Sequence, residues 1–352
     1  MRFDENKYLS WYLPRISGDN PPINLHSSGV VGLDPKDFSI VLENPWELSE
    51  KFEAALSQWL SIPDDEIVFT PGATGGNLLA LLALAPRQSE VIVESPIYEP
   101  MLRQTQRLCK TIRLVRSFKN NWRISLDEAR RLINDNTALV MITEPNNPSA
   151  VFSPREDVLE LANLSAKKNA TLLINEVYRG FTERPSYHGA VDNIVVVNSL
   201  SKLFGTYWMR HGWLSAKTET IAKLKIAHLN MGMPTQPTAS LGISVMANAR
   251  ALQEKAKQAA ASGFSIVRKW IETTPGLSWC EPHGIGFGCI KLPQGIDDVS
   301  FAEKLFEKQN VLIVPGKKFE APGTFRLSWL QAGADLEEGL KRISAELKNA
   351  AA

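Results

Sequence analysis

The sequence predicts an α/β protein: a large domain on a mainly parallel, helix-covered sheet, followed by a small C-terminal α+β domain. Three observations predict it. Between about residues 65 and 215, short β-rich apolar runs alternate with helix-like segments, the pattern of strands buried on both faces and joined by crossover helices. A long helical stretch covers about 237–271. Beyond Pro275, three further strand-like runs and two helix-like segments follow in a shorter region.

The elements follow in order. The apolar runs 67–69, 91–93, 139–142, 172–174 and 194–197 read as strands, and 77–84, 126–133 and 154–168 as helices. In the C-terminal region, 286–292, 311–314 and 324–327 read as strands, and 300–308 and 336–348 as helices. The expected organisation is an N-terminal extended arm (1–44) packing back on the small domain, a large domain (45–235), a linking helix (236–274) and the small domain (275–352). A chain of 352 residues is long enough for both cores.

Composition excludes several classes. Lys and Arg number 39 against 38 Asp and Glu, a net charge of +1 with no basic block, so neither nucleic acid nor an anionic membrane is an expected partner. The start, Met1-Arg2-Phe3-Asp4-Glu5-Asn6, is polar and acidic, unlike a signal peptide. The longest apolar run, about 78–85, is too short to span a bilayer. Cys109, Cys280 and Cys289 are few, widely spaced and odd in number. They read as reduced core thiols of a cytoplasmic protein, with no disulfide frame and no metal site.

In a sheet of this type ligands bind at the carboxyl ends of the strands, where the chemistry-bearing residues fall. Ser199-Leu200-Ser201-Lys202-Leu203-Phe204-Gly205 is followed eight residues after the lysine by Arg210. Such a lysine offers an amine that can hold an aldehyde, and an arginine fits a phosphate dianion. Thr70-Pro71-Gly72-Ala73-Thr74-Gly75-Gly76 follows a strand and opens a helix, so its small residues and free amides can cradle a phosphate. Pro96-Ile97-Tyr98, Glu144-Pro145-Asn146-Asn147-Pro148-Ser149 and Asn175-Glu176-Val177-Tyr178 follow the next strands, and Thr324-Phe325-Arg326-Leu327-Ser328 is a late strand carrying one arginine.

Taken in this order, these motifs resemble the aminotransferase class I/II family of fold-type I pyridoxal phosphate (PLP) enzymes, over about residues 24–348. The resemblance implies PLP as cofactor, an L-amino acid and a keto acid as substrates, and a homodimer. It implies that Lys202 binds the aldehyde, releases it to the substrate amine and shuttles the α-proton. Gly72, Ala73 and Thr74 form the phosphate cup, with Ser199, Ser201 and Arg210 completing the clamp. Tyr98 stacks on the cofactor ring, while Asn147 and Tyr178 donate to its phenolic oxygen. Asn147 and Arg326 contact the substrate, Arg326 as a fork for the α-carboxylate. His26-Ser27-Ser28-Gly29 falls on the arm over the substrate, with Gly29 leaving room for ligand. His26 is either an acid–base group or a satisfied structural histidine.

Five residues depart from the family's pattern. Ser149 and Ala150 replace the Thr-Gly of the family's Asn-Pro-Thr-Gly signature, and Glu43 and Leu48 stand where many members carry a tyrosine and a glycine. A phosphate contact from the partner subunit is therefore not implied. The largest departure is Asn175, where the family has an aspartate that keeps the pyridine nitrogen protonated. An amide can hydrogen-bond that nitrogen but cannot hold a proton on it by charge. Glu176, one residue on, points to the opposite face of a strand. Either the sink is weaker, or another acid serves, or the protein turns over little. The arm and Asn147-Pro148-Ser149 are also similar to capreomycidine-synthase-like enzymes, which dehydrate and cyclise hydroxylated arginine. The candidate functions are thus an aminotransferase, such a cyclodehydratase, or a low-turnover PLP-binding protein.

Overall fold

The computed structural model describes residues 5–17, 20–34, 36, 44–230 and 237–351. Glu43 lies outside them. The N-terminal elements are α1 (Lys7–Ile16), β1 (Ile23–Asn24) and α2 (Pro45–Leu60). The large sheet and its helices follow as β2 (Ile67–Pro71), α3 (Gly72–Leu84), β3 (Glu90–Ser95), α4 (Glu99–Leu108), β4 (Lys110–Val115), α5 (Leu126–Leu132), β5 (Thr137–Thr143), α6 (Arg155–Ala166), β6 (Thr171–Asn175), β7 (Ile194–Ser199), α7 (Ser201–Phe204), β8 (His211–Ser215) and α8 (Thr218–Leu229). Then come α9 (Pro237–Ala247), α10 (Ala249–Thr273), β9 (Ser278–Trp279), β10 (Phe287–Lys291), α11 (Asp298–Gln309), β11 (Val311–Leu312), β12 (Val314–Pro315), β13 (Thr324–Ser328) and α12 (Leu336–Ala351).

The seven-stranded sheet has the order β2-β8-β7-β6-β5-β3-β4. The pairs from β4 through β3, β5 and β6 to β7 are parallel, and β8 runs antiparallel to both β7 and β2. Alternate residues of each strand feed opposite cores. Val91, Val93, Met141, Leu173 and Val195 pack under α3, α4 and α8. Ile92, Val140, Ile142, Leu172 and Val196 pack under α5 and α6. Two-sided burial is why these strands are nearly continuous in Val, Ile and Leu.

The second sheet is antiparallel, in the order β12-β13-β10-β9. Its core takes Phe301 and Leu305 of α11, Leu340 and Ile343 of α12, and Tyr8 and Trp11 of α1. This is a mainly parallel, helix-covered sheet with a smaller sheet beside it, the fold class the sequence predicts.

Three local features differ from the sequence reading. The N-terminal segment contains a helix, α1, where an extended arm was expected; Asn6 caps it by accepting from the Leu9 amide at 2.9 Å. The 311–314 run is not one strand: β11 pairs with β1, and β12 with β13 in the other sheet. The long helical stretch is two helices, α9 and α10, meeting at Asn248.

Candidate active site

A cavity of about 190 Å³ opens where the carboxyl ends of β3, β5, β6 and β7 meet the start of α3, with α1 and β13 on its other side. It brings together Ala73, Thr74, Tyr98, Asn147, Asn175, Tyr178, Ser199, Ser201, Lys202, Arg210, His26 and Arg326, all expected from sequence. A larger hollow of about 460 Å³ lies between α2, β2 and α8, faced by Phe52, Phe69 and Ala239, and holds none of them.

The strand ends position these groups. β7 delivers Ser199, and the single turn of α7 lifts Lys202 back over the sheet. The Lys202 side chain is partly open to the cavity, but its amine is enclosed. It donates to Ser28 Oγ at 3.4 Å, and Ser28 Oγ lies 3.0 Å from the Tyr178 hydroxyl. Burial first, then the nearby charges of Arg326 and Arg210, push the lysine pKa down to about 8. Burial likewise raises the pKa of Tyr178, which therefore stays a phenol and a donor. A free amine is the nucleophile toward an aldehyde. Capture of PLP by the unloaded protein is therefore expected to accelerate with rising pH, with a midpoint near the lysine's value of about 8. Stopped-flow absorbance checks this, and a rate flat from pH 6.5 to 9.5 would refute it.

Across the cavity from the lysine stands Arg326, on β13, an inner strand of the small sheet, and 2% exposed. Its Nη1 donates to Asn147 Oδ1 at 2.9 Å and its Nη2 to the His26 carbonyl at 2.8 Å. Its Nε is buried without a hydrogen-bond partner among the described residues. Its guanidinium carbon lies 4.9 Å from the Phe319 ring centroid, which packs it in place. Anchoring through one amide and one carbonyl leaves a full positive charge for an anionic ligand.

At the start of α3, Gly72 has φ +70°, and a Cβ there would lie 3.0 Å from the Arg210 guanidinium. A side chain there would crowd the arginine more closely than most Cβ contacts, and the positive φ strains any residue but glycine. Arg210 itself has φ +55° and is exposed. The first amides of α3 and this guanidinium form a cationic cradle suited to a phosphate.

Two residues differ from their expected roles. Gly29 does not line the cavity: a Cβ there would meet the Lys202 carbonyl at 3.3 Å, and the Val30 amide next to it donates to that carbonyl at 3.1 Å. Its smallness lets the arm approach the lysine backbone rather than leaving room for ligand. His26 lines the cavity, but burial, then Arg326, lowers its pKa to about 3, and its Nδ1 has no hydrogen-bond partner among the described residues. The lowered value favours the neutral imidazole at neutral pH.

Sequence reasoning missed Ser28 as the link between Lys202 and Tyr178, although it named the segment. It also missed Tyr8 and Tyr12 of α1, which line the cavity. Their i, i+4 spacing on a capped helix was the available signal. Leu48, at the family's glycine position, is a buried core residue.

The aminotransferase class I and II family profile matches residues 42–343, and the chain belongs to that family. It is 30% identical over 292 residues to an aspartate aminotransferase of Thermotoga maritima, covering 80% of this chain and 75% of the relative. It is 26% identical over 301 residues to an aspartate aminotransferase of Pyrococcus horikoshii, covering 82% and 77%. Among solved structures, a PLP-dependent aminotransferase from Streptococcus suis superposes with a TM-score of 0.88 at 24% identity, covering 99% of both chains. The PLP-dependent cyclase OrfR superposes at 0.85 with 21% identity, covering 99% and 98%. These two share the fold. The protein is a PLP-dependent transferase. No helix among the described residues is long and apolar enough to cross a membrane.

The cavity fits this cofactor. Gly72 and Arg210 leave a cradle that a side chain would fill, Lys202 offers a lowered amine, and the wall carries three cations, Lys202, Arg210 and Arg326, with no carboxylate among its described residues.

Proposed function

We propose that the chain exchanges the amino group of an L-amino acid with a keto acid, using Lys202 as both cofactor anchor and proton carrier. One observation carries this reading: the Lys202–Ser28–Tyr178 hydrogen-bonded chain faces a buried arginine across a cavity without acidic side chains. Arg326 takes the α-carboxylate, fixing the α-carbon between itself and Lys202. The Lys202 amine is placed to take the α-proton and to carry it between the two partners of the exchange. PLP, when bound, supplies the electron sink for the resulting carbanion. Tyr178 and Asn147 would hold the cofactor's phenolic oxygen, Tyr98 its ring, and Ser199, Ser201, Ala73, Thr74, Gly72 and Arg210 its phosphate.

The cyclodehydratase reading needs a proton donor for hydroxide departure, and burial favours the neutral form of His26, the histidine on the cavity wall. The test is an absorbance titration of the loaded protein with an amino-acid panel including arginine and γ-hydroxyarginine, with products identified by mass spectrometry. Conversion to the aminated cofactor with release of a keto acid supports transamination. Water loss and a cyclic product from hydroxyarginine would replace it, and no response to any amine would favour a low-turnover binding protein.

The arginine makes a second test. Arg326→Ala removes a charge-assisted bond of about 1.5–3 kcal/mol, so the amino-acid KM is expected to rise roughly 10- to 100-fold while PLP is retained. A KM within threefold of the parent would take the carboxylate away from Arg326.

We further assign the chain to the cytoplasm as a homodimer. Three free cysteines suit a reducing compartment. Ile226 and Leu229 of α8, 68% and 79% exposed, offer apolar surface to a second copy. Light scattering coupled to gel filtration reads the oligomeric state directly.

A further inference from the structure

The cavity wall contains Asn175 but no Asp or Glu among its described residues. The orientation of the Asn175 amide is set by its own chain. Its Oδ1 accepts the backbone N–H of Val177 at 3.2 Å, and an N–H can be accepted by the amide oxygen but not by the NH2 group. The turn after β6 thus ties down the acceptor end. The Nδ2 end has no hydrogen bond within the described protein and belongs to a residue that lines the cavity. Asn175 therefore presents a donor, and a donor cannot accept a proton from a pyridinium.

No neighbouring acid replaces it. Glu176 turns to the other face of the strand end, where it accepts from Arg179 at 2.8 Å, Ser186 at 2.9 Å and the Tyr187 amide at 2.7 Å. Glu94 and Glu144 are fully buried and lie 2.8 and 2.9 Å from Arg116, outside the cavity wall. The charges that do face the cavity are cations, and a cationic wall disfavours a further positive charge on a ring between them.

We infer that this site holds the pyridine nitrogen of its cofactor unprotonated, as an acceptor of the Asn175 Nδ2–H. The inference rests on the reading that PLP occupies this cavity on Lys202. It makes Asn175 a residue that sets the cofactor's charge. A neutral ring draws less electron density from the α-carbon, so stabilisation of the carbanion falls more heavily on Lys202 and the surrounding dipoles.

The experiment is ¹⁵N NMR of protein reconstituted with PLP labelled at the ring nitrogen, for the parent, Asn175→Ala and Asn175→Asp. The expected parent resonance is that of a hydrogen-bonded neutral pyridine, unchanged between pH 6 and 8. Asn175→Ala should move it toward a free pyridine, and Asn175→Asp to the pyridinium position. A pyridinium resonance in the parent, or one identical in the parent and Asn175→Ala, overturns the inference while leaving cofactor binding intact. Protein that retains no PLP after desalting, or whose absorbance band stays unshifted in Lys202→Ala, would instead overturn the parent reading and this one with it.

Discussion

Lys202→Ala is expected to lower kcat by at least about 10³-fold, because the proposed function makes this residue both the proton carrier, a role that contributes roughly 10²–10⁴-fold, and the covalent anchor. Retention of the cofactor should fall less. The cradle of Gly72 and Arg210 and the start of α3 are formed by other elements, so phosphate contacts survive the substitution. The visible absorbance should therefore shift to that of the unanchored aldehyde rather than vanish. Lys202→Arg is the sharper control. It keeps the positive charge between Ser28 and Arg326, but a guanidinium does not deprotonate and cannot act as nucleophile or base. If the role of Lys202 were electrostatic packing, the arginine variant would recover activity; if it is chemical, both variants fail equally. A variant with kcat within tenfold of the parent would sink the assignment.

Much of this site was legible because chemistry at strand ends leaves residue-type signals that need no tertiary knowledge. Lys202 between two serines, Gly72 at a strand–helix junction and Asn147 in its loop are weak signals singly, and became legible through the family resemblance that the motifs carry in order. The strands of the large sheet were readable directly, since burial on both faces demands continuous apolar runs at β3, β5, β6 and β7. β4 is flanked by one neighbour and half exposed, and its Lys110-Thr111-Ile112-Arg113-Leu114-Val115 carries no such run. β8 begins with His211-Gly212, a start that reads as a turn, yet it lies between β7 and β2 as an antiparallel strand. The α1 contribution failed for a different reason. Its Tyr8 and Trp11 find their partners near Phe319 and Phe325, about three hundred positions away, and no local pattern announces such a pairing. Ser28 was invisible as a link because a hydroxyl between an amine and a phenol is a property of three distant segments.

The charges also separate into two layers with different uses. The cavity wall carries cations with no carboxylate beside them among its described residues. Beneath it, Arg116 is fully enclosed and paired with two equally enclosed carboxylates. Arg116 follows β4, Glu94 belongs to β3, and Glu144 follows β5, so this cluster joins three neighbouring strand ends directly behind the turns that carry Tyr98 and Asn147. One further oxygen of each carboxylate is hydrogen-bonded: Glu94 Oε1 accepts the Thr143 amide at 2.7 Å, and Glu144 Oε2 the Ser153 amide at 3.0 Å.

Arg116→Met is therefore expected to destabilise the fold by about 3–5 kcal/mol at pH 8, the range for removing one partner of a buried ion pair, because it strands two carboxylates without a counter-charge. The pH dependence has a definite sign. Burial raises the Glu94 pKa from 4.5 to about 7, with Arg116 opposing the rise. Between those values the folded chain holds a proton that the unfolded chain has lost. The stability due to this group is therefore fully present below about 4.5 and lost as the pH rises through about 7. Without Arg116 the opposing effect disappears and both carboxyls stay protonated to higher pH. The loss in Arg116→Met should then be smaller at pH 5.5 than at pH 8, where ionising them costs most. Glu94→Gln keeps an acceptor for the Thr143 amide and leaves Glu144 to neutralise Arg116, so it should flatten the decline between pH 5 and 7. Urea unfolding of the three proteins at both pH values decides the matter. If Arg116→Met stays within about 1 kcal/mol of the parent at pH 8, or loses equal stability at both, the cluster does not hold these strand ends together electrostatically. If the predicted pattern appears, the same variant should also raise the amino-acid KM, because Asn147, which fixes Arg326 at 2.9 Å, lies on the loop that Glu144 begins.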